Sequence, residues 1–154
     1  MENSKNKINR ILKSIPLLRG ITDQDANIIA SYLEPVSYPA DTNIIQEGST
    51  GQSMFLIVNG SVRVTRGSED DEVLIGNLYS GSFFGEFSLI DSMPRSANVI
   101  SNEDVDIFQL TKSNFEKILE KDPHFSSLFY KNCLTETFYR FRNTVANFSF
   151  SQHT

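Results

Sequence analysis

One cysteine, two histidines and no long apolar run are what this 154-residue chain is short of, and each shortage closes off a class of function. Cys133 alone cannot build an intramolecular disulfide framework, and a single thiol suits a reducing cytosol. On a helix it reads as a small buried hydrophobe, not a nucleophile. The histidines are His124, beside Pro123, and His153, close to the C-terminus, so a metal site or a Ser-His relay has almost no raw material. The longest aliphatic stretch lies around Phe55 to Val58, far too short to span a bilayer. Residues Met1 to Ile8 are polar and hold no apolar signal segment. Base is also in deficit: 14 Lys and Arg against 19 Asp and Glu give a net charge of −5, which disfavours a general nucleic-acid binder. The expectation is a cytoplasmic protein that is not an enzyme and needs neither metal nor cofactor.

What the chain does have is aromatic residues: 12 Phe and 5 Tyr, which argue for a packed globule in a length that supports one core. The whole chain, 1–154, is expected to form one domain. Ile8, Ile11, Leu12, Ile15 and Leu18 recur at helical spacing, and Pro16 limits that first helix. Thr22 can cap a second helix, Asp23 to Leu33. Pro35 and Pro39 then end helicity. Between about 35 and 111, short β-branched and aromatic runs alternate with turn residues: Asn43 to Gln46, Met54 to Val58, Ser61 to Thr65, Val73 to Leu78, Asn98 to Ser101 and Val105 to Leu110. Asn59-Gly60 is the best local hairpin signal, and the charged stretch Gly67 to Glu72 reads as a solvated hairpin tip. Strands at this spacing without crossover helices predict an antiparallel β jelly-roll barrel, mainly β with flanking helices. Thr111 or Ser113 can cap a short helix through Glu120, and Pro123 starts a last helix to about Phe148. Along it Leu134, Phe138, Phe141, Val145 and Phe148 alternate four- and three-residue spacings, a short heptad-like seam. That seam suits either packing against the barrel or a homodimer.

The informative segment runs from Phe84 to Val99: Phe-Gly-Glu-Phe-Ser-Leu-Ile-Asp-Ser-Met-Pro-Arg-Ser-Ala-Asn-Val. Gly85 permits close approach of the backbone to a ligand. Phe87 to Ile90 can form one helical turn whose amides at Glu86 to Ser88 favour an anion. Pro94 stops the turn, and Arg95 emerges where the next strand begins. A guanidinium there can hold a phosphate bidentately, with the Ser96 hydroxyl and amide beside it. Glu86, set between aromatics, needs hydrogen-bond donors. Such a site suits a ligand anionic at one end and rich in hydroxyls beside it, a sugar phosphate. The plainer alternative is a surface turn in which Glu86 and Arg95 pair with each other.

This segment resembles the phosphate-binding cassette of the cyclic nucleotide-binding domain family, in the pattern Phe84, Gly85, Glu86, Ser88, Leu89, Pro94, Arg95, Ser96 and Ala97. Upstream, Ile44-Ile45-Gln46-Glu47-Gly48 and Phe55 to Val62 resemble the family's early strands, and Ile15-Pro16-Leu17 its opening helix. Where the family often has aspartates, this chain has Ser49 and Gln52, which bears on the loop more than on ligand contact. The resemblance implies a receptor for cyclic AMP or cyclic GMP, with cyclic AMP preferred. It implies that Glu86, with the Gly85 backbone beside it, accepts the ribose 2′-hydroxyl, that Arg95 pairs with the phosphate, and that Ser96 and the Ser88 amide complete the phosphate site. Phe87 and Ala97 belong to the same cassette. On the strand before it, Val73, Leu74 and Ile75 are the expected base-packing residues. Arg140, Phe138 and Phe141 are the expected lid, closing over the base when ligand binds. The seam Leu134, Phe138, Phe141, Val145 and Phe148 would serve a homodimer, as in the bacterial regulators of this family. No DNA-binding motif follows the long helix in this sequence, so the expected output is an unidentified downstream protein. Met1 and the polar residues after Phe150 suit a stand-alone sensor. The runner-up is a related interaction or dimerisation module whose pocket no longer binds nucleotide.

Overall fold

The computed structural model describes residues 3–153, with side chains described for residues 3–148. Two helices lead in, α1 (Ser4–Ser14) and α2 (Asp23–Ser31), with a 3-10 turn at Pro16–Leu18 between them. Both helices start on side-chain caps. Asn3 accepts from the Asn6 amide, and Thr22 with Asp25 forms a reciprocal capping box. Eight strands follow: β1 (Glu34–Tyr38), β2 (Asn43–Ile45), β3 (Ser53–Asn59), β4 (Ser61–Arg66), β5 (Val73–Tyr79), β6 (Phe83–Phe84), β7 (Asn98–Ser101) and β8 (Val105–Thr111). A second 3-10 turn, Glu86–Leu89, sits between β6 and β7. The chain ends on α3 (Lys112–Lys121) and α4 (Pro123–His153), five residues beyond the expected end at Phe148. Of the two cap candidates for α3, Thr111 is the one used.

The strands form two four-stranded antiparallel sheets, in the orders β1-β8-β3-β6 and β2-β7-β4-β5. This is the expected jelly roll, but hydrogen bonds do not close it into a barrel. One expectation needs correction. Asn59-Gly60 is not a hairpin, because β3 pairs with β8 and β6 while β4 pairs with β5 and β7. The pair carries the chain from one sheet to the other. Gly60 has φ 94°, and a Cβ there would stand 2.7 Å from the Asp104 carbonyl, so glycine is required for the corner. β1 contains Pro35, which hides a strand from sequence rules; it lies at a sheet edge, where a missing amide costs no ladder bond.

β3 shows how the core is divided. Six of its residues in succession are buried, because its two faces have different partners. Met54 and Leu56 join Ile11, Leu12, Ile29, Phe115, Phe125 and Phe129 in a cluster beneath the helices. Phe55 and Ile57 face the other way, into the space between the sheets, with Val62, Phe84, Val99 and Ile107. The Gly67–Glu72 stretch is an exposed tip between paired β4 and β5, as expected.

Candidate ligand-binding site

The site grows from the end of β6. Phe84 is buried with its ring stacked on Phe55, centroids 5.0 Å apart, and this anchors the residue that follows. Gly85 then takes φ 81°, ψ 10°, and an added Cβ would meet the Ser53 carbonyl at 2.8 Å and Arg95 Nη1 at 2.9 Å. Conformation and crowding both demand glycine here. The 3-10 turn Glu86–Leu89 follows, and the chain returns through Pro94 to Arg95 and β7.

Arg95 is fixed at both ends. Its backbone amide donates to the Ser49 carbonyl and its own carbonyl accepts from the Gly48 amide, each at 2.8 Å. Its Nη2 donates to the Ser53 carbonyl at 2.9 Å and Nη1 to the Gly85 carbonyl at 3.5 Å. A Cβ on Gly51 would lie 2.6 Å from Nε, so the guanidinium threads between two glycines. Sequence rules present Gly51 only as a loop glycine; its tertiary use is invisible there. Asn98, also unforeseen, braces the same corner. Its carbonyl accepts from the Glu47 amide at 2.8 Å, and its amide donates to the Gly67 carbonyl at 3.1 Å.

The electrostatics are those of two partly buried charges of opposite sign. Burial lowers the Arg95 pKa, and the neighbouring Glu86 carboxylate acts in the opposite direction. Burial raises the Glu86 pKa, while its own backbone amide, Arg140 and Arg95 oppose the rise. Among the described residues no ion pair within 4.0 Å joins Glu86 to Arg95, and the guanidinium's recorded acceptors are neutral carbonyls. The simple surface ion pair is therefore not what this turn builds. In front of Arg95 lies a cavity of about 460 Å³, within the range of roughly 300–1,000 Å³ usual for small-molecule pockets. Gly85, Glu86, Phe87, Ser88, Arg95, Ser96 and Ala97 all line it, and Ile45, Val64 and Val99 form an apolar wall.

The family description for the cyclic nucleotide-binding domain matches residues 35–122, more than half of the chain. The chain belongs to the cyclic nucleotide-binding domain family. A cAMP-dependent protein kinase regulatory subunit from Neurospora crassa is 37% identical over 108 residues, which is 70% of this chain and 28% of that protein. A cGMP-dependent protein kinase isozyme from Drosophila melanogaster is 34% identical over 123 residues, 77% of this chain and 16% of the relative. The chain thus spans a minor part of the length of these relatives. Among solved structures, a cyclic nucleotide-binding domain from Methylobacillus flagellatus superposes with a TM-score of 0.75 at 25% identity, covering 93% of this chain and 81% of that one.

The site of this cyclic nucleotide-binding domain departs from expectation in three places. The Ser88 amide is not free for an anion: it donates to the Gly85 carbonyl at 3.1 Å and closes the 3-10 turn. Val73 and Leu74 do not line the cavity; they stand exposed on β5, at a sheet edge, and Val64 on neighbouring β4 takes the apolar position instead. Alternation along Val62-Arg63-Val64 was the available signal for that inward face. Arg140 does not enter the cavity either. It stacks over the Phe87 ring, 4.2 Å from its centroid, beside a separate cleft of about 100 Å³ lined by Pro16, Leu17, Phe83, Glu86, Phe87 and Glu136. Phe138 and Phe141 are exposed and line neither the cavity nor the cleft. No described helix is long and apolar enough to cross a membrane.

Proposed function

We propose that this chain is a receptor for a cyclic purine nucleotide, with cyclic AMP the preferred ligand and no catalytic activity or cofactor of its own. The observation that carries the reading is the Arg95 guanidinium, held between Gly51 and Gly85 and facing a cavity whose same wall carries the partly buried Glu86 carboxylate. Buried charges persist where a ligand supplies their partners. The cyclic phosphate would pair with Arg95 and Ser96, and the ribose 2′-hydroxyl would donate to Glu86. Ile45, Val64 and Val99 offer contact to the uncharged remainder of the ligand. The named functions of the fungal and fly relatives support a cyclic nucleotide as the class.

Output would pass through α4. Asn132 Nδ2 donates to the Leu17 and Arg19 carbonyls, at 3.1 and 2.9 Å, and pins the helix to the N-terminal turn. Beyond it, Arg140 stacks on Phe87 of the cassette, and Glu136 lines the cleft beside it. A ligand that occupies Glu86 changes the charge balance facing Arg140 and so biases where the far half of α4 rests, a shift between existing states. An unidentified protein, or a second copy through Leu134, Phe138, Phe141, Val145 and Phe148, would read that position. These exposed side chains also favour the second reading, an interaction module whose helix does the work without nucleotide.

Calorimetric titration with cyclic AMP, cyclic GMP and 5′-AMP separates the two. Saturable binding of a cyclic nucleotide but not the linear one is the expected result, and the lower dissociation constant identifies the base. Binding of neither, in protein freed of co-purified nucleotide, leaves the interaction module.

A further inference from the structure

We propose that Asp91 filters ligands by charge: it admits a phosphodiester, which carries one negative charge, and turns away the doubly charged phosphomonoester. The inference rests on the receptor reading above and adds to it a residue with no other role in the site. Among the described residues the charged groups that line the cavity are Glu86, Asp91 and Arg95, so one cation stands against two carboxylates. A diester phosphate matches the single guanidinium charge for charge. A monoester, at about −1.5 to −2 near neutral pH, brings most of a further charge that no second cation meets. Glu86 is engaged when ligand is bound, because the ribose hydroxyl donates to it. Asp91 has no such donor and stays an uncompensated negative charge.

The fold ties Asp91 to the segment that carries the guanidinium. Its backbone amide donates to the Phe87 carbonyl at 3.0 Å, at the end of the 3-10 turn, and its Oδ1 accepts from the Met93 amide at 3.3 Å. The side chain is thus folded back onto the short loop that leads to Arg95, and Met93 and Pro94 of that loop line the cavity with it. Among the described residues no ion pair within 4.0 Å involves Asp91. An acid here strengthens the hold on no anion, so its effect is discrimination. Specificity can be gained by opposing the wrong ligand, at some cost to the right one. A unit negative charge about 7 Å from a carboxylate loses about threefold in affinity in water, and more where solvent is partly excluded. The extra charge of a monoester incurs that loss a second time.

Displacement of bound cyclic AMP by two linear ligands tests the filter. One is 5′-AMP; the other is its methyl phosphodiester, adenosine 5′-(methyl phosphate), which carries a single charge. Both share base and ribose, so a general change in the pocket moves them together and only charge separates them. In the parent the methyl ester should displace cyclic AMP at a lower concentration than 5′-AMP does. Asp91→Asn should narrow that gap by about threefold or more, and Asp91→Glu, which keeps the charge, should preserve it. A gap unchanged in Asp91→Asn overturns the proposal, while the bound cyclic AMP leaves the receptor reading standing. Equal narrowing by Asp91→Glu also overturns it, because packing and not charge would then be the cause. A parent that binds no cyclic nucleotide overturns the receptor reading, and this proposal with it.

Discussion

The cassette and the far half of α4 are both rich in phenylalanine and carry arginine, yet only the cassette is built into the body of the fold. Arg95 is held by two carbonyls, two backbone hydrogen bonds and two glycines. Arg140 rests on a single ring from an exposed helix. Phe84 is buried against Phe55, whereas Phe138 and Phe141 are 59% and 65% exposed. The division runs through α4 itself. Phe125 and Phe129 pack on Phe115 in the core, and after Cys133 nearly every described side chain is solvent-facing. The same residue types are scaffold where a layer lies beneath them and contact surface where none does.

If the cassette is the fixed half of the site, Arg95→Ala is the most damaging substitution for binding. A loss of about 2–5 kcal/mol of cyclic nucleotide affinity is expected by calorimetry, since a buried phosphate would lose its counter-charge. Undiminished binding would place the ligand elsewhere.

Glu86→Gln comes next, at about 1.5–3 kcal/mol of affinity, through the lost charge-assisted bond to ribose. It also makes an opposite prediction for stability. Burial raises the Glu86 pKa in the folded chain, so ionisation opposes folding, and that cost is relieved as pH falls through the raised pKa. Without ligand, Glu86→Gln should have a higher urea midpoint than the parent at neutral pH, and the gap should close on mild acidification. A gap that widens toward acid would show that Glu86 is stabilised as a carboxylate.

Arg140→Ala tests the loose half. Losing one exposed cation–π contact is expected to cost about 0.5–1 kcal/mol of stability, visible as a small fall in the urea midpoint. A loss of binding as large as that of Arg95→Ala would mean that the helix closes fully over the ligand. Phe141→Ala should change monomer stability by no more than about 0.5 kcal/mol, measured at low protein concentration. A larger loss would reveal a packed partner.

Local chemistry was legible in the sequence. Thr22 caps its helix, Thr111 caps the next, and the stretch from Phe84 to Ala97 lines one cavity. Cap, turn and cassette are each written within a few consecutive residues. The errors were all about partners. Asn59-Gly60 has the conformation of a turn, but the strands it joins pair with others. Val73 and Leu74 have the composition of a pocket wall, but their strand ends a sheet. Gly51 and Asn98 act on residues more than thirty positions away, where no local pattern could announce them.

The sequence by itself determined the helix–strand–helix order, the family and the Phe84–Ala97 cassette, because propensity, capping and motif spacing act over short stretches of chain. Only the tertiary structure decided that Arg95 passes between two glycines, that Val64 and not Leu74 faces the cavity, and that β5 and the far half of α4 are left uncovered. Pairing and burial depend on which distant segments arrive beside each other, and that is a property of the packed whole.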